Sequence, residues 1–199
     1  MSLHQVTECA QEMLAQYREN LQVPSVQAVT NGSGGKRWSC PPSGLVKINF
    51  DGAGFGASNM SGIGVVIRSN GDVLASCSQK IPQVYKAEEI EALAAFKALS
   101  FAFELGFRSA ILEGDSLGLI QALKLEERSL SPTGLLFEDV KVLANNFVRL
   151  LYSHIKRNGN RVAHSLARNA LCTIDFQVWM EDVPSHIVSI LQLDVVELH

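Results

Sequence analysis

Three acids in this sequence stand in company that does not explain them. Asp115 follows the apolar run Ala110-Ile111-Leu112 in "EGDS". Asp51 closes the alternating stretch "LVKINFD", and Glu91 sits among Ile90, Ala92, Leu93 and Ala94. A carboxylate among apolar neighbours is costly to bury unless something compensates it. Three carboxylates meeting at one place would also raise each other's pKa and destabilise the chain. A divalent cation resolves that conflict, and hard oxygen donors suit Mg²⁺, with Mn²⁺ as the alternative. Two such ions about 4 Å apart would serve phosphodiester hydrolysis, activating water and stabilising the leaving oxygen. Each acid also has a plain reading. Asp51-Gly52 reads as a turn and Asp115 or Ser116 as a helix cap, while Glu88 competes with Glu91 one helical turn away.

The chemistry needs elements that bring distant residues to one rim. Leu45 to Asp51 alternates, with Val46, Ile48 and Phe50 on one side and Lys47, Asn49 and Asp51 on the other, which predicts a strand with one wet face. Gly62 to Arg68 is a second strand, Asn70-Gly71 a hairpin turn, and Val73 to Ser78 a third strand. Glu88 to Leu105 predicts a long helix, apolar on most sides, that stops at Gly106. Ala110 to Glu113 follows as a strand and Ser116 to Leu125 as a short helix. Ser131-Pro132 opens another helix to about Asn145. Phe147 to Ile155 is a fifth strand, Asn160 a cap, and Arg161 to Leu171 a further helix. The expected fold is therefore α/β: three layers around a five-stranded mixed sheet, three antiparallel strands first and then strands alternating with helices. Parallel strands end at a common edge, where ligands gather, and Asp51 and Asp115 both fall at such ends.

Composition limits the alternatives. The chain of 199 residues is 47% hydrophobic, enough for a substantial core, and its formal net charge is −3. No global positive field draws in nucleic acid, so such a partner needs a local basic patch. Lys156, Arg157, Arg161 and Arg168 form one in the last loop and helix. Cys9, Cys40, Cys77 and Cys172 make no C-x-x-C pair, which argues against a zinc site or a disulfide framework and for an intracellular, reducing compartment. Residues 1–22 carry no secretory signature and a helical pattern over about 4–22. Thr30 to Gly44 reads as a Gly/Ser/Pro-rich linker. The expected division is 1–44 as helix and linker, 45–172 as the folded domain and 173–199 as an appendage. "IEALAAFKALSFAFELGF" is broken by Glu91, Lys97 and Glu104, so no membrane span is expected.

Four segments, in order, resemble the type 1 ribonuclease H family. "KINFDGA" is similar to its opening strand, "EALAAFKAL" to its acidic central helix, "EGDS" to its strand-end aspartate and "HIKRNGNRVAHSLARNA" to its closing strand and helix. The resemblance runs from about Trp38 to Leu171, and "WSCPPSG" resembles the plant subgroup derived from non-LTR retrotransposons. It implies a ribonuclease H-like fold and an endonuclease that cuts the RNA strand of RNA/DNA hybrids with two metal ions. Asp51, Glu91 and Asp115 would be ligands. His164, at the position of the family's usual fourth carboxylate, would be the fourth catalytic residue and metal ligand, although an imidazole binds Mg²⁺ less readily. The resemblance also implies that groups near the site read the RNA 2′-hydroxyl, for which Asn49, Gly52 and Ser116 are placed by location, with Lys156, Arg157 and Arg161 on phosphates. The alternative is a retroelement-derived nucleic-acid-binding module, catalytically weak or inactive.

Overall fold

Residues 37–125 and 132–196 are described by the computed structural model; the helix expected over 4–22 lies outside them. Eleven regular elements matter here. Strands β1 (Val46–Phe55), β2 (Met60–Ser69) and β3 (Asp72–Ile81) come first, then helix α1 (Ala87–Glu104). Strand β4 (Ser109–Gly114), helices α2 (Leu117–Lys124) and α3 (Pro132–Ala144) and strand β5 (Arg149–His154) follow. Helix α4 (Arg161–Asn169), strand β6 (Phe176–Met180) and helix α5 (Val188–Val196) close the chain.

Local chemistry sets the opening hairpin and the end of α1. Asn70 and Gly71 both take positive φ, at 53° and 92°, the two-residue turn whose twist suits antiparallel strands. Accordingly Ser69 pairs with Asp72 across it. Gly106, at φ 84°, ends α1. The Gly106 N–H donates to the Phe103 carbonyl and the Phe107 N–H to the Ala102 carbonyl, closing the last turn.

The sheet order is β5-β4-β1-β2-β3-β6, six strands rather than the expected five. Strands β4 and β5 are parallel to their neighbours and the rest are antiparallel. The sixth strand is Phe176–Met180 on the edge of β3, inside what reads as an appendage. Its period-2 signal is hidden because both faces are covered. Phe176, Val178 and Met180 pack with the α1 side of the sheet, while Trp179 packs with the α4 side.

Two cores make three layers. Ile48, Phe50, Val65 and Ile67 meet α1, α2 and α3 on one face. On the other, a smaller cluster joins Val66 and Val73 to Val162 and Leu166 of α4, with Val183 and Ile187 of the tail. The face of β1 expected to be wet is not wet: Lys47, Asn49 and Asp51 are all buried. Segments distant in sequence cover it, with Trp38 donating its indole N–H to Asn49 Oδ1 at 3.0 Å. Among the described residues, no helix is long and apolar enough to cross a membrane.

Candidate metal centre

Strand register and close-packed glycines assemble the rim. Strands β1 and β4 pair in parallel from Val46↔Ala110 to Asn49↔Glu113 and then part. Asp51 and Asp115 each lie two residues past that last pair, so both leave the sheet at one edge. Helix α1 is brought there by Gly52. A Cβ on Gly52 would lie 2.7 Å from the Ile90 carbonyl oxygen, so only glycine lets the first turn of α1 approach β1 and present Glu91.

Helix α4 arrives in the same way on the opposite face. Gly64 pairs with Asp51 across β1 and β2. A Cβ there would meet the Ala163 carbonyl oxygen at 2.2 Å and the Ala167 nitrogen at 2.3 Å. This contact sets His164 beside the strand, its Nδ1 2.7 Å from Asp51 Oδ2. Asn160 was expected to cap α4, but its side chain makes no cap hydrogen bond. Instead its Nδ2 donates to the Phe50 carbonyl at 2.8 Å, a group left without a β4 partner where the strands part. Asn160→Ala is expected to cost about 1–3 kcal/mol, because a buried carbonyl loses a side-chain donor. Denaturant unfolding measures this; an unchanged midpoint would contradict it.

Ligand-competent oxygens of Asp51, Glu91 and Asp115 all lie within 4.8 Å of one another. Asp51 is 0% and Glu91 8% exposed. Burial pushes the Glu91 carboxyl up to about 9, with Asp51 and Asp115 adding to the shift. Burial likewise raises Asp51, opposed by its hydrogen bond to His164. Asp51 Oδ1 and Glu91 Oε2 are buried without a hydrogen-bond partner among the described residues. Buried carboxylate oxygens without donors, converging from three elements, fit a hard divalent cation.

The other expected contacts divide. Asn49 is wholly buried, and its side chain is held by Trp38, Arg68 and Glu113. Gly52 and Ser116 are half-buried at the rim, and Lys156 is exposed. Ser116 stands at the N-cap position of α2 without a side-chain cap bond. Arg157 Nε donates to Asp115 Oδ2 at 3.0 Å from a guanidinium that is 65% exposed. Arg161 turns instead to Asp194 in the tail, at 3.1 Å. Sequence reading missed the roles of Gly64 and Asn160. A glycine facing a run of small helix residues, Ala163 and Ala167, was the available signal for the first.

Residues 49–170 match the family profile described as Reverse transcriptase-like. The chain belongs to the reverse transcriptase-like family. Solved structures of ribonucleases H share the fold of this reverse transcriptase-like chain. RNase H1 from the halophilic archaeon Halobacterium salinarum is 27% identical, with a TM-score of 0.60 over 65% of this chain and 98% of that one. The N-terminal RNase H domain of rv2228c from Mycobacterium tuberculosis, solved fused to maltose binding protein, is 27% identical, with a TM-score of 0.58 over 64% and 94%. LC11-RNase H1, solved in complex with an RNA/DNA hybrid, is 24% identical with a TM-score of 0.57 over 64% and 96%, a likeness of fold alone. No curated protein matches the sequence. The domain is thus ribonuclease H-like and related to RNase H1 enzymes, and its acidic triad supports a nuclease-like function.

Proposed function

We propose that this domain hydrolyses the RNA strand of RNA/DNA hybrids with a divalent cation, Mg²⁺ or Mn²⁺. The observation that carries this reading is the convergence of Asp51, Glu91 and Asp115 within 4.8 Å. The hybrid bound in the LC11-RNase H1 structure supports the substrate class. Asp51, Glu91 and Asp115 would hold the cation. When bound, it would supply Lewis-acid polarisation of water and of the scissile phosphate.

The chain's own residues set the frame for that chemistry. Asp51 is held by His164, whose position on α4 fixes which oxygen of the carboxylate stays free. Arg157 can exchange Asp115 for a substrate phosphate, because its guanidinium is exposed and bonds Asp115 through Nε. Lys156 adds a second positive charge on the same loop. Gly52 and Ser116 offer backbone and hydroxyl groups to the 2′-hydroxyl.

Labelled hybrid incubated with purified protein should be nicked only when Mg²⁺ or Mn²⁺ is present, and Asp115→Asn should stop it. Equal cleavage by the Asn variant would sink the reading. Arg157→Ala should weaken hybrid binding and lower the salt dependence by about one counterion. An unchanged salt slope in titrations at several ionic strengths would remove Arg157 from the substrate path.

A second reading has its own observation. His164 brings no negative charge and is already engaged with Asp51. That arrangement favours a catalytically weak or inactive nucleic-acid-binding module, of the retroelement-derived plant kind that "WSCPPSG" resembles. It requires hybrid binding without cleavage, and recovery of cleavage in His164→Asp.

A further inference from the structure

Behind the carboxylate rim lies a second set of charges, almost wholly out of water. Arg68 is 1% exposed and Asp194 is 4% exposed, although neither has a place in the reading above. Asp194 Oδ2 accepts from Arg68 at 3.0 Å, and its Oδ1 accepts from Arg161 at 3.1 Å. The other end of the Arg68 guanidinium donates to Asn49 Oδ1 at 3.2 Å, and its plane lies over Trp38 at 3.9 Å. Asn49 Nδ2 donates to Glu113 Oε2 at 2.9 Å, and Ser153 donates to Glu113 Oε1 at 2.9 Å.

The positions in this chain match those of the rim. Asn49 precedes Asp51 by two residues on β1, and Glu113 precedes Asp115 by two at the end of β4. Arg161 is the first residue of α4, the helix that carries His164. The tail carboxylate therefore bonds α4 directly through Arg161 and reaches β1 and β4 through Arg68 and Asn49.

Adhesion alone does not explain a charge there. The tail is already seated by Val183 and Ile187, which are buried against α4 and β2. A buried ion cluster gives up solvation that an apolar contact would not, so its net gain in stability is small. What it adds is direction, since charge-assisted hydrogen bonds fix orientation as well as distance.

We propose that Asp194 is a positioning residue for the metal centre: held between Arg68 and Arg161, it fixes the start of α4 and so keeps His164 against Asp51. The inference rests on the reading of the rim as a metal centre.

The test compares full-length Asp194→Asn and Asp194→Glu with Leu99→Ala, a core substitution on the other face of the sheet. Nitrogen-15 resonances of the His164 ring report its contact with Asp51 and need neither metal nor cleavage. Mn²⁺ titration and steady-state cleavage of hybrid are read beside them. Asp194→Asn should shift the His164 resonances and weaken Mn²⁺ binding about tenfold, the usual loss when a group supporting a metal ligand is removed. It should lower kcat with KM unchanged, and Asp194→Glu should restore part of each. Leu99→Ala should lower the melting temperature and leave all three readings alone. Arg161→Met removes only the α4 arm and should shift His164 in the same way, which serves if Asp194→Asn does not fold. Native His164 resonances in Asp194→Asn or in Arg161→Met would overturn the proposal. A native chain that binds no Mn²⁺ would overturn the metal reading instead, and the His164 signals would still judge the positioning role.

Discussion

Without metal, Glu91→Gln should melt at a higher temperature than the native chain at pH 8, and yet with Mg²⁺ present it should cleave hybrid far more slowly. Glu91 is buried beside two further carboxylates, which moves its carboxyl from an ordinary 4.5 up to about 9. The sign follows from proton counting. Below about pH 4.5 folded and unfolded chains both hold the proton, and stability is at its fullest. Between there and about pH 9 the unfolded chain releases it and the folded chain keeps it, so stability falls by up to about 1.4 kcal/mol per pH unit. Asp51 is raised as well and slopes the same way, so glutamine at 91 should flatten the pH dependence without abolishing it. Added Mg²⁺ should reverse the ranking, because a ligand bound only by the folded chain raises the melting point of whichever variant binds it. Loss of a ligand carboxylate should cost cleavage about 10³-fold, equivalent to about 4 kcal/mol of barrier. Melting scans at pH 5, 6.5 and 8, with chelator and with Mg²⁺, check the stability claim. Parallel curves for the two proteins would contradict it.

Gly64→Ala should cause a large loss of stability and of metal response together. The new methyl group would lie 2.2 Å from the Ala163 carbonyl oxygen and 2.3 Å from the Ala167 nitrogen. Both are helix backbone atoms, which cannot step aside singly, so α4 must lift from β2. Overpacking of this kind costs about 1–3 kcal/mol, and backbone obstruction puts Gly64 at the upper end. Lifting α4 also parts His164 from Asp51 and Asn160 from Phe50, so the rim loosens with the core. Gly118→Ala is the control. It lies in α2 with nothing within 4 Å of the added atom, and alanine there should be neutral or slightly stabilising. Denaturant midpoints with and without Mn²⁺ distinguish the two, and similar midpoints for both variants would refute the packing argument.

Local rules made much of this fold legible. Asn70-Gly71 announced the hairpin and Gly106 the end of α1, because each acts on its own few residues. The acids were legible as misfits, since Asp51, Glu91 and Asp115 each interrupt an apolar pattern. Failures came where distant chain supplies the environment. The polar face of β1 was expected to be wet because alternation reports two faces and not what covers them; Trp38 and α4 cover it. Strand β6 escaped notice because Trp179 makes its second face apolar too. Arg68 and Asp194 are 126 positions apart, and no local pattern links them. Asn160 looked like a cap because its sequence neighbours allow one, whereas Phe50 needed it more.

Calorimetric titration of Mn²⁺ into the native chain and into Asp51→Asn tests most directly whether the three acids form one cation site. The native protein should show a saturable isotherm that the Asn variant lacks, with both proteins folded at the temperature used. Matching isotherms, or no binding by the native chain at millimolar metal, would contradict it.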